Sequence, residues 1–309
     1  MNKILITTTS FGKDDPSPLD LLKDAGYETV LNPHKRKLTE DELLELLLEI
    51  KPVGIIAGVE PITARVLQQA AGLKVVSRCG VGMENVDVKA AEGLGITVIN
   101  TPDAPTRAVA ELTVGLVMDL LRRISSSDRE LKKGNWTKHM GRLLHGRKAG
   151  IVGLGRIGRR VATMLLALGA QVAGTDIQPD HAWADKAGVL LLDLPELIRQ
   201  SEILCLHLSA PAGSGYLIGR DELETMPKGA FLVNTSRGEV IDQDALYSAL
   251  KSGHLAGAAL DVFDREPYTG PLTELDNVVL TPHIGSYARE ARVEMERQAA
   301  KNLIEALKG

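Results

Sequence analysis

Residues 150–176 read Gly-Ile-Val-Gly-Leu-Gly-Arg-Ile-Gly-Arg-Arg-Val-Ala-Thr-Met-Leu-Leu-Ala-Leu-Gly-Ala-Gln-Val-Ala-Gly-Thr-Asp, and no other stretch narrows the choice of fold as much. An apolar run from Ala149 to Val152 reads as a buried strand and ends at Gly153-x-Gly155-x-x-Gly158. A helical pattern follows on Val161, Met164, Leu165 and Leu168, closed by Gly169. A second short strand, Gln171 to Gly174, then leads to Asp176. Strand, glycine turn, helix and a terminal acidic residue form the context in which this spacing binds a dinucleotide. Gly153 permits the tight turn, Gly155 lets backbone approach a pyrophosphate, and Gly158 lets the helix pack close to the sheet. The free N–H groups at the helix start would meet the pyrophosphate. Asp176 can accept from ribose hydroxyls and would repel a 2′-phosphate, and Ile177-Gln178-Pro179 adds no cation to reverse that, so NAD is expected rather than NADP.

The rest of the chain sets bounds around this motif. With 309 residues there is material for two domains, each with its own core. A net charge of −4 gives no basic field for nucleic acid or an anionic membrane, and 3% aromatic content argues against base-stacking platforms. Cys79 and Cys205 show no metal-ligand spacing and no disulfide framework, so no metal is expected. The N-terminus runs straight into a strand-like segment without a signal-peptide pattern, and no apolar stretch reaches a membrane span, so a cytoplasmic protein is expected.

Residues 1–99 alternate strand and helix with short links. The apolar runs Ile4–Thr7, Glu28–Leu31, Val53–Ala57, Lys74–Ser77 and Ile96–Ile99 read as strands, and Thr39-Glu40-Asp41-Glu42 as a helix start. That alternation predicts a parallel doubly wound sheet, here without a phosphate fingerprint. Ala104 to Arg123 reads as a long apolar helix packed between lobes or subunits, 124–148 as polar and irregular, and Ser286 to Leu307 as a final amphipathic helix. Later strands are expected near 190, 204, 231, 257 and 279.

Three stretches at strand ends carry chemistry-bearing side chains. Arg237 follows the strand Phe231–Asn234 and could present its planar fork to a carboxylate. Glu266 follows the run Leu260-Asp261-Val262-Phe263. His283, between Pro282 and Gly285, sits on a rigid loop, and a nearby carboxylate such as Glu266 would raise its pKa and fix its tautomer for proton transfer near neutral pH.

These stretches resemble the D-isomer-specific 2-hydroxyacid dehydrogenase family, the group that includes D-3-phosphoglycerate dehydrogenases. The resemblance runs from Cys79–Asp87 through Asn100-Thr101-Pro102, Ala110–Thr113, Val152–Gly158 and Asn234–Gly238 to Thr281–Gly285. It implies two Rossmann-like α/β domains with doubly wound parallel sheets and an active site in the cleft between them. The substrate domain would comprise 1–99 with 285–309, and the NAD-binding domain 100–284. Arg237, Glu266 and His283 would be catalytic: Arg237 binding the substrate carboxylate and polarising the carbonyl, His283 the general acid/base, and Glu266 holding His283 in its working state. The backbone of Gly80, Val81 and Gly82 would grip the carboxylate, with Arg78 beside it. Thr235 and Asp261 would approach the nicotinamide end, Arg156 and Ile157 the pyrophosphate, and His207 would lie along the cofactor. The activity implied is NAD-dependent interconversion of a small D-2-hydroxy acid and its 2-keto acid in a homodimer. An NAD(H)-sensing, corepressor-like binding protein on the same fold is the alternative.

The sequence departs from that family at three places. Where many phosphoglycerate dehydrogenases carry Arg-Ser-x-Thr after the third strand, this chain has Ala57-Gly58-Val59-Glu60-Pro61, and Glu60 is expected to repel a phosphate. Leu208-Ser209-Ala210-Pro211-Ala212 replaces the usual stretch over the cofactor. The sequence ends at Gly309, so the regulatory domain some relatives carry is not expected. D-3-phosphoglycerate therefore stays within the expectation beside other small 2-hydroxy acids.

Overall fold

Strands of a parallel sheet are buried on both faces and so read as unbroken apolar runs, which is how most of this chain's strands read. The computed structural model describes residues 1–208 and 215–308, which leaves residues 209–212 of the altered stretch over the cofactor outside the described residues. The chain forms two compact units, Met1–Pro105 with Tyr287–Gly309, and Thr106–Ser286.

In the first unit β1 (Lys3–Ile6), α1 (Ser17–Asp24), β2 (Glu28–Leu31), α2 (Glu40–Ile50), β3 (Gly54–Ala57), α3 (Ala64–Gln69), β4 (Val75–Arg78), α4 (Val88–Gly93) and β5 (Thr97–Ile99) alternate along the chain. The five strands are parallel in the order β2-β1-β3-β4-β5. α2 starts with a reciprocal cap, Thr39 N–H donating to Glu42 Oε2 (2.9 Å) and Glu42 N–H to Thr39 Oγ1 (3.3 Å). Successive residues of β1 face opposite sides of the sheet. Leu5 joins Leu43, Leu47, Val66 and Leu67 on one face, while Ile4 and Ile6 join Leu22, Met295, Ala299 and Leu303 on the other. The last three come from the C-terminal helix, which thus belongs to the first unit, with Ser77 Oγ donating to Ala299 O at 2.8 Å.

The second unit opens with α5 (Thr106–Arg122) and α6 (Ile124–Lys132). It continues through β6 (Lys148–Val152), α7 (Arg156–Ala167), β7 (Gln171–Thr175), α8 (His181–Ala187), β8 (Leu190–Leu191), α9 (Leu194–Gln200) and β9 (Ile203–Leu206). Then follow α10 (Arg220–Thr225), β10 (Phe231–Asn234), α11 (Gln243–Lys251), β11 (Gly257–Leu260) and β12 (Val278–Leu280), and α12 (Arg289–Lys308) returns to the first unit. The seven strands are parallel in the order β12-β11-β10-β9-β6-β7-β8. The chain runs outward from β6 to β8, then restarts at β9 on the other side, so the order reverses between β6 and β9. Ligands of open α/β sheets bind beyond the carboxyl ends of the strands at such a reversal.

Three readings of the sequence need adjustment. The apolar face of α5 is taken up inside the second unit: Leu116, Val117, Leu120 and Leu121 share a core with Val161 and Leu165 of α7. Leu168, read as part of that face of α7, is half-exposed. The stretch expected to be irregular from 124 begins with nine helical residues, α6, none of them buried. No helix among the described residues is long and apolar enough to cross a membrane.

Candidate active site

β6 delivers the glycine turn to the reversal point. Gly153 sits at φ 94°, and a side chain there would overlap the backbone of His207 beyond β9, so neither strand end could keep its place around a larger residue. Gly158 faces the Gly153 carbonyl just as closely, whereas nothing lies within 4 Å of where a Gly155 Cβ would be. Gly155 is also the residue preceding α7, and no side chain caps that helix. Open backbone at an uncapped helix start is the cradle a pyrophosphate requires, with Arg156 and Ile157 forming its first helical residues.

Asp176, at the end of β7, accepts from Leu154 N–H (2.7 Å) through Oδ2 and from Gln178 N–H (3.0 Å) through Oδ1. Two backbone donors hold the carboxylate at the edge of the turn, and each oxygen keeps a lone pair for a ribose hydroxyl. His207 completes this end. Both its ring nitrogens are buried without a partner, and burial pushes its pKa down to about 3, so it is neutral. A buried, neutral, unpartnered imidazole beside an open glycine cradle fits a polar ligand, and these residues fit a dinucleotide.

Beyond β10, β11 and β12 the loops are tied to one another. Asn234 Oδ1 accepts from Ser236 N–H (3.0 Å) and Ser236 Oγ (2.7 Å), while Asn234 Nδ2 donates to Arg237 O (2.8 Å). Arg237 Nη1 donates to Ser236 O at 2.8 Å. A side chain on Gly238 would overlap the backbone of Phe263 and Asp264, so the Arg237 loop lies directly on the loop that carries Glu266. Thr235, expected near the nicotinamide, has its hydroxyl 2.8 Å from that of Thr113 on α5.

Asp261, 1% exposed, accepts from Thr281 Oγ1 (2.6 Å) and Ile284 N–H (2.8 Å) through Oδ1 and from Gly285 N–H (2.8 Å) through Oδ2. A buried carboxylate with three donors holds the 281–285 loop in place. That loop carries His283 in the left-handed region, φ 54°, an arrangement that costs of order 1 kcal/mol for a residue with a Cβ and needs such anchoring. His283 Nδ1 lies 2.9 Å from Glu266 Oε2, and Glu266 Oε1 accepts from Phe263 N–H at 3.1 Å. The bond to Glu266 raises the His283 pKa; burial opposes it, the charges of Glu266 and Asp261 add to it, and Arg237 opposes it. Burial pulls the Glu266 carboxyl upward, but the bond and charge of His283, Phe263 N–H and Arg237 outweigh that and leave it lowered. With Nδ1 engaged, Nε2 is the nitrogen left for a reacting group, on a side chain still 54% exposed.

The substrate residues expected from the first unit lie on the turn after β4. Gly80, at φ 152°, donates its N–H to Arg78 O (3.0 Å) and Thr101 Oγ1 (2.9 Å), and a Cβ on it would meet the Arg78 guanidinium. Its N–H is therefore engaged within the turn itself. Asn100 Nδ2 braces the turn through Val81 O at 2.7 Å. The structure thus groups Arg237, Glu266, Asp261 and His283 in the second unit. The sequence marked Asp261 by position but not its anchoring of the histidine loop, and it placed Thr113 and Asn234 within the resembling stretches without giving either a role.

Residues 114–285 match the model of the D-isomer specific 2-hydroxyacid dehydrogenase family's NAD binding domain. The chain belongs to that family. It is 39% identical to the D-3-phosphoglycerate dehydrogenase of Methanocaldococcus jannaschii over 100% of this chain, and spans 58% of that relative's length. It is 39% identical to the glyoxylate reductase of Thermofilum pendens over 95% of this chain and 89% of the relative. Among solved structures, the TT0316 protein of Thermus thermophilus superposes with a TM-score of 0.90 at 37% identity, covering 99% of this chain and 97% of that one. A D-lactate dehydrogenase from Aquifex aeolicus, complexed with NAD and lactic acid, gives 0.83 at 28% identity, covering 99% and 96%.

Proposed function

We propose that this protein is an NAD-dependent dehydrogenase interconverting a small D-2-hydroxy acid and its 2-keto acid. The observation that carries the reading is the His283–Glu266 pair, 2.9 Å apart, held on the Asp261-anchored loop of a family NAD-binding domain. The second unit serves the dinucleotide through Gly153, Gly155, Arg156, Ile157, Gly158, Asp176, His207, Thr235 and Asp261. The first unit serves the substrate through Arg78, Val81 and Gly82, on a turn that Gly80 shapes.

NAD supplies the hydride acceptor, or as NADH the donor, at the substrate C2. The residues of the chain handle charge and protons. Arg237 pairs with the substrate carboxylate and polarises the carbonyl. In the reductive direction protonated His283 gives a proton from Nε2 to the carbonyl oxygen, and in the oxidative direction neutral His283 takes it from the hydroxyl. Glu266 fixes the tautomer by keeping the proton on Nδ1 and stabilises the imidazolium. Asp176 favours NAD over NADP, since a 2′-phosphate would meet a carboxylate already fixed by two backbone donors.

The same reading assigns a cytoplasmic homodimer acting on a small-molecule substrate, with no nucleic acid partner. Its support is the family and the run of exposed apolar side chains between 124 and 143.

The test is NADH oxidation with 2-keto acids, alongside His283→Ala. Turnover is expected with NADH over NADPH, and His283→Ala is expected to lose about 10²- to 10⁴-fold in kcat while still binding NADH. Full turnover by the variant, or none by the wild type with NADH bound, would sink the reading.

A further inference from the structure

Three loops line the carboxyl edge of the first unit's sheet: Thr7–Gly12 after β1, Gly58–Glu60 after β3, and Arg78–Gly82 after β4. Glu60, expected to repel a phosphate there, is turned inward. It is 1% exposed, and its carboxylate accepts from the Thr7 hydroxyl and from Gly58 N–H (3.0 Å). Its role is to tie the β1 and β3 loops together, with its charge felt by Arg78.

Two guanidinium groups occupy this edge instead. Arg78, 9% exposed, donates to Cys79 O and from Nε to Asn85 Oδ1 at 3.4 Å. Asn85 in turn donates to Glu60 O at 2.7 Å, which links Arg78 to the β3 loop. The second group arrives from α12. Arg292 is 14% exposed, lies 5.4 Å above the Tyr287 ring and donates from Nη2 to Ser10 Oγ at 2.5 Å. Burial lowers the Arg78 pKa; the charges of Cys79, Glu60 and Glu84 oppose this, and Arg292 adds the smallest lowering.

The simplest reading of Arg292 is that it neutralises Glu296, one turn along the helix and 3% exposed. Glu296 is already served, however. Ser10 Oγ donates to Oε1 (2.8 Å) and Gly12 N–H to Oε2 (2.9 Å), while Arg292 Nη2 stays 3.4 Å away. Arg292 Nε is buried with no partner, and so is Thr8 Oγ1 on the same β1 loop. A buried polar group left without a partner is destabilising. Two like charges and two idle donors at the strand ends form an arrangement that an incoming anion would complete.

We propose that Arg292, together with Arg78 and Thr8, determines substrate choice by binding a second anionic group, carboxylate or phosphate, at the far end of a short 2-keto acid. The proposal rests on reading the protein as a 2-hydroxyacid dehydrogenase. The acids it selects are those with one carboxylate beside the carbonyl and another anion two to three bonds away.

The experiment compares kcat/KM in NADH oxidation for oxaloacetate, 2-oxoglutarate and 3-phosphohydroxypyruvate with that for pyruvate and glyoxylate, in the wild type and in Arg292→Gln. The wild type is expected to prefer an acid with a second anion. In the variant that preference should shrink by about 10- to 100-fold, mostly through KM, the loss of one charged hydrogen-bonding group. The dicarboxylate and phosphate arms identify which anion the site takes. Equal losses across the panel would make Arg292 structural and overturn the proposal, as would a wild-type preference for pyruvate or glyoxylate. No turnover of any acid would defeat the underlying function and this proposal together. If Arg292→Gln unfolds, inhibition of the wild type by malonate against acetate decides: tighter inhibition by malonate is expected, and equal inhibition overturns the proposal.

Discussion

His283 and Glu266 titrate as a pair, and the direction of their shifts fixes how activity must depend on pH. The His283 pKa is raised, first by its bond to Glu266, so the protonated imidazole needed for keto-acid reduction persists above the ordinary histidine range. Reductive kcat/KM should therefore hold through neutral pH and fall as pH rises through the raised value. Oxidation of the hydroxy acid needs neutral His283 and should rise over the same interval. Glu266→Gln removes the anion and leaves burial and Arg237 acting against the charge, with Asp261 alone favouring it. Its reductive limb should move to lower pH, with at least a ~10-fold loss in kcat/KM at pH 8 that recovers on acidification. A pH–rate profile on both directions checks this, and an unmoved limb would mean that Glu266 does not set the proton affinity of His283.

At the scale of elements, packing at the carboxyl end of β6 governs whether the cofactor cradle forms. Gly158 on α7 has no room for a methyl group against Gly153 O, so Gly158→Ala must push α7 away from the sheet. The expected cost is about 1–3 kcal/mol of stability, read from urea unfolding. A weakening of NADH binding of about tenfold, read by fluorescence titration, should accompany it, because the helix N-terminus shifts with the helix. Unchanged binding would separate the cradle from the packing of α7. This element was legible in the sequence because every residue it needs lies within one βαβ unit. The parallel strands were legible for a similar local reason: Ile4–Ile6, Ile55–Ala57 and Ile203–Leu206 are buried on both faces and contain no polar residue. α6 was not legible. Its apolar residues Ile124 and Leu131 are exposed, three serines fill its first turn, and it is started by Asp119 accepting from Ser125 N–H at 2.7 Å and braced by Asp128–Lys132. Site residues joined across long sequence distances were equally hidden. Glu60 turns inward to a threonine 53 positions earlier, and Arg292 reaches a serine 282 positions away. Position in a motif marked Arg237, Glu266 and His283, but only the folded chain shows what holds each of them.

For the whole molecule, the question raised by the segment 124–143 is what covers it. Ile124 (56% exposed), Leu131 (55%), Trp136 (82%), Met140 (94%) and Leu143 (70%) follow one another within twenty residues of a chain whose aromatic content is only 3%. Single exposed apolar side chains are ordinary, but five in one short segment, among them one of the two tryptophans, mark an interaction surface. In the proposed homodimer a second copy of the same segment would cover them. A buried tryptophan removes about 150–250 Å² from water, on the order of 4 kcal/mol per protomer before the cost of association. Replacing Trp136 and Met140 together by Asp, where neither side chain supports the core of either unit, should leave unfolding little changed while converting a dimer to a monomer. Analytical ultracentrifugation of the wild type and the double variant across a range of concentrations measures this. A wild type that sediments as a monomer would refute the dimer outright. A double variant that still sediments as a dimer would place the interface elsewhere on the chain and leave this apolar segment to another partner.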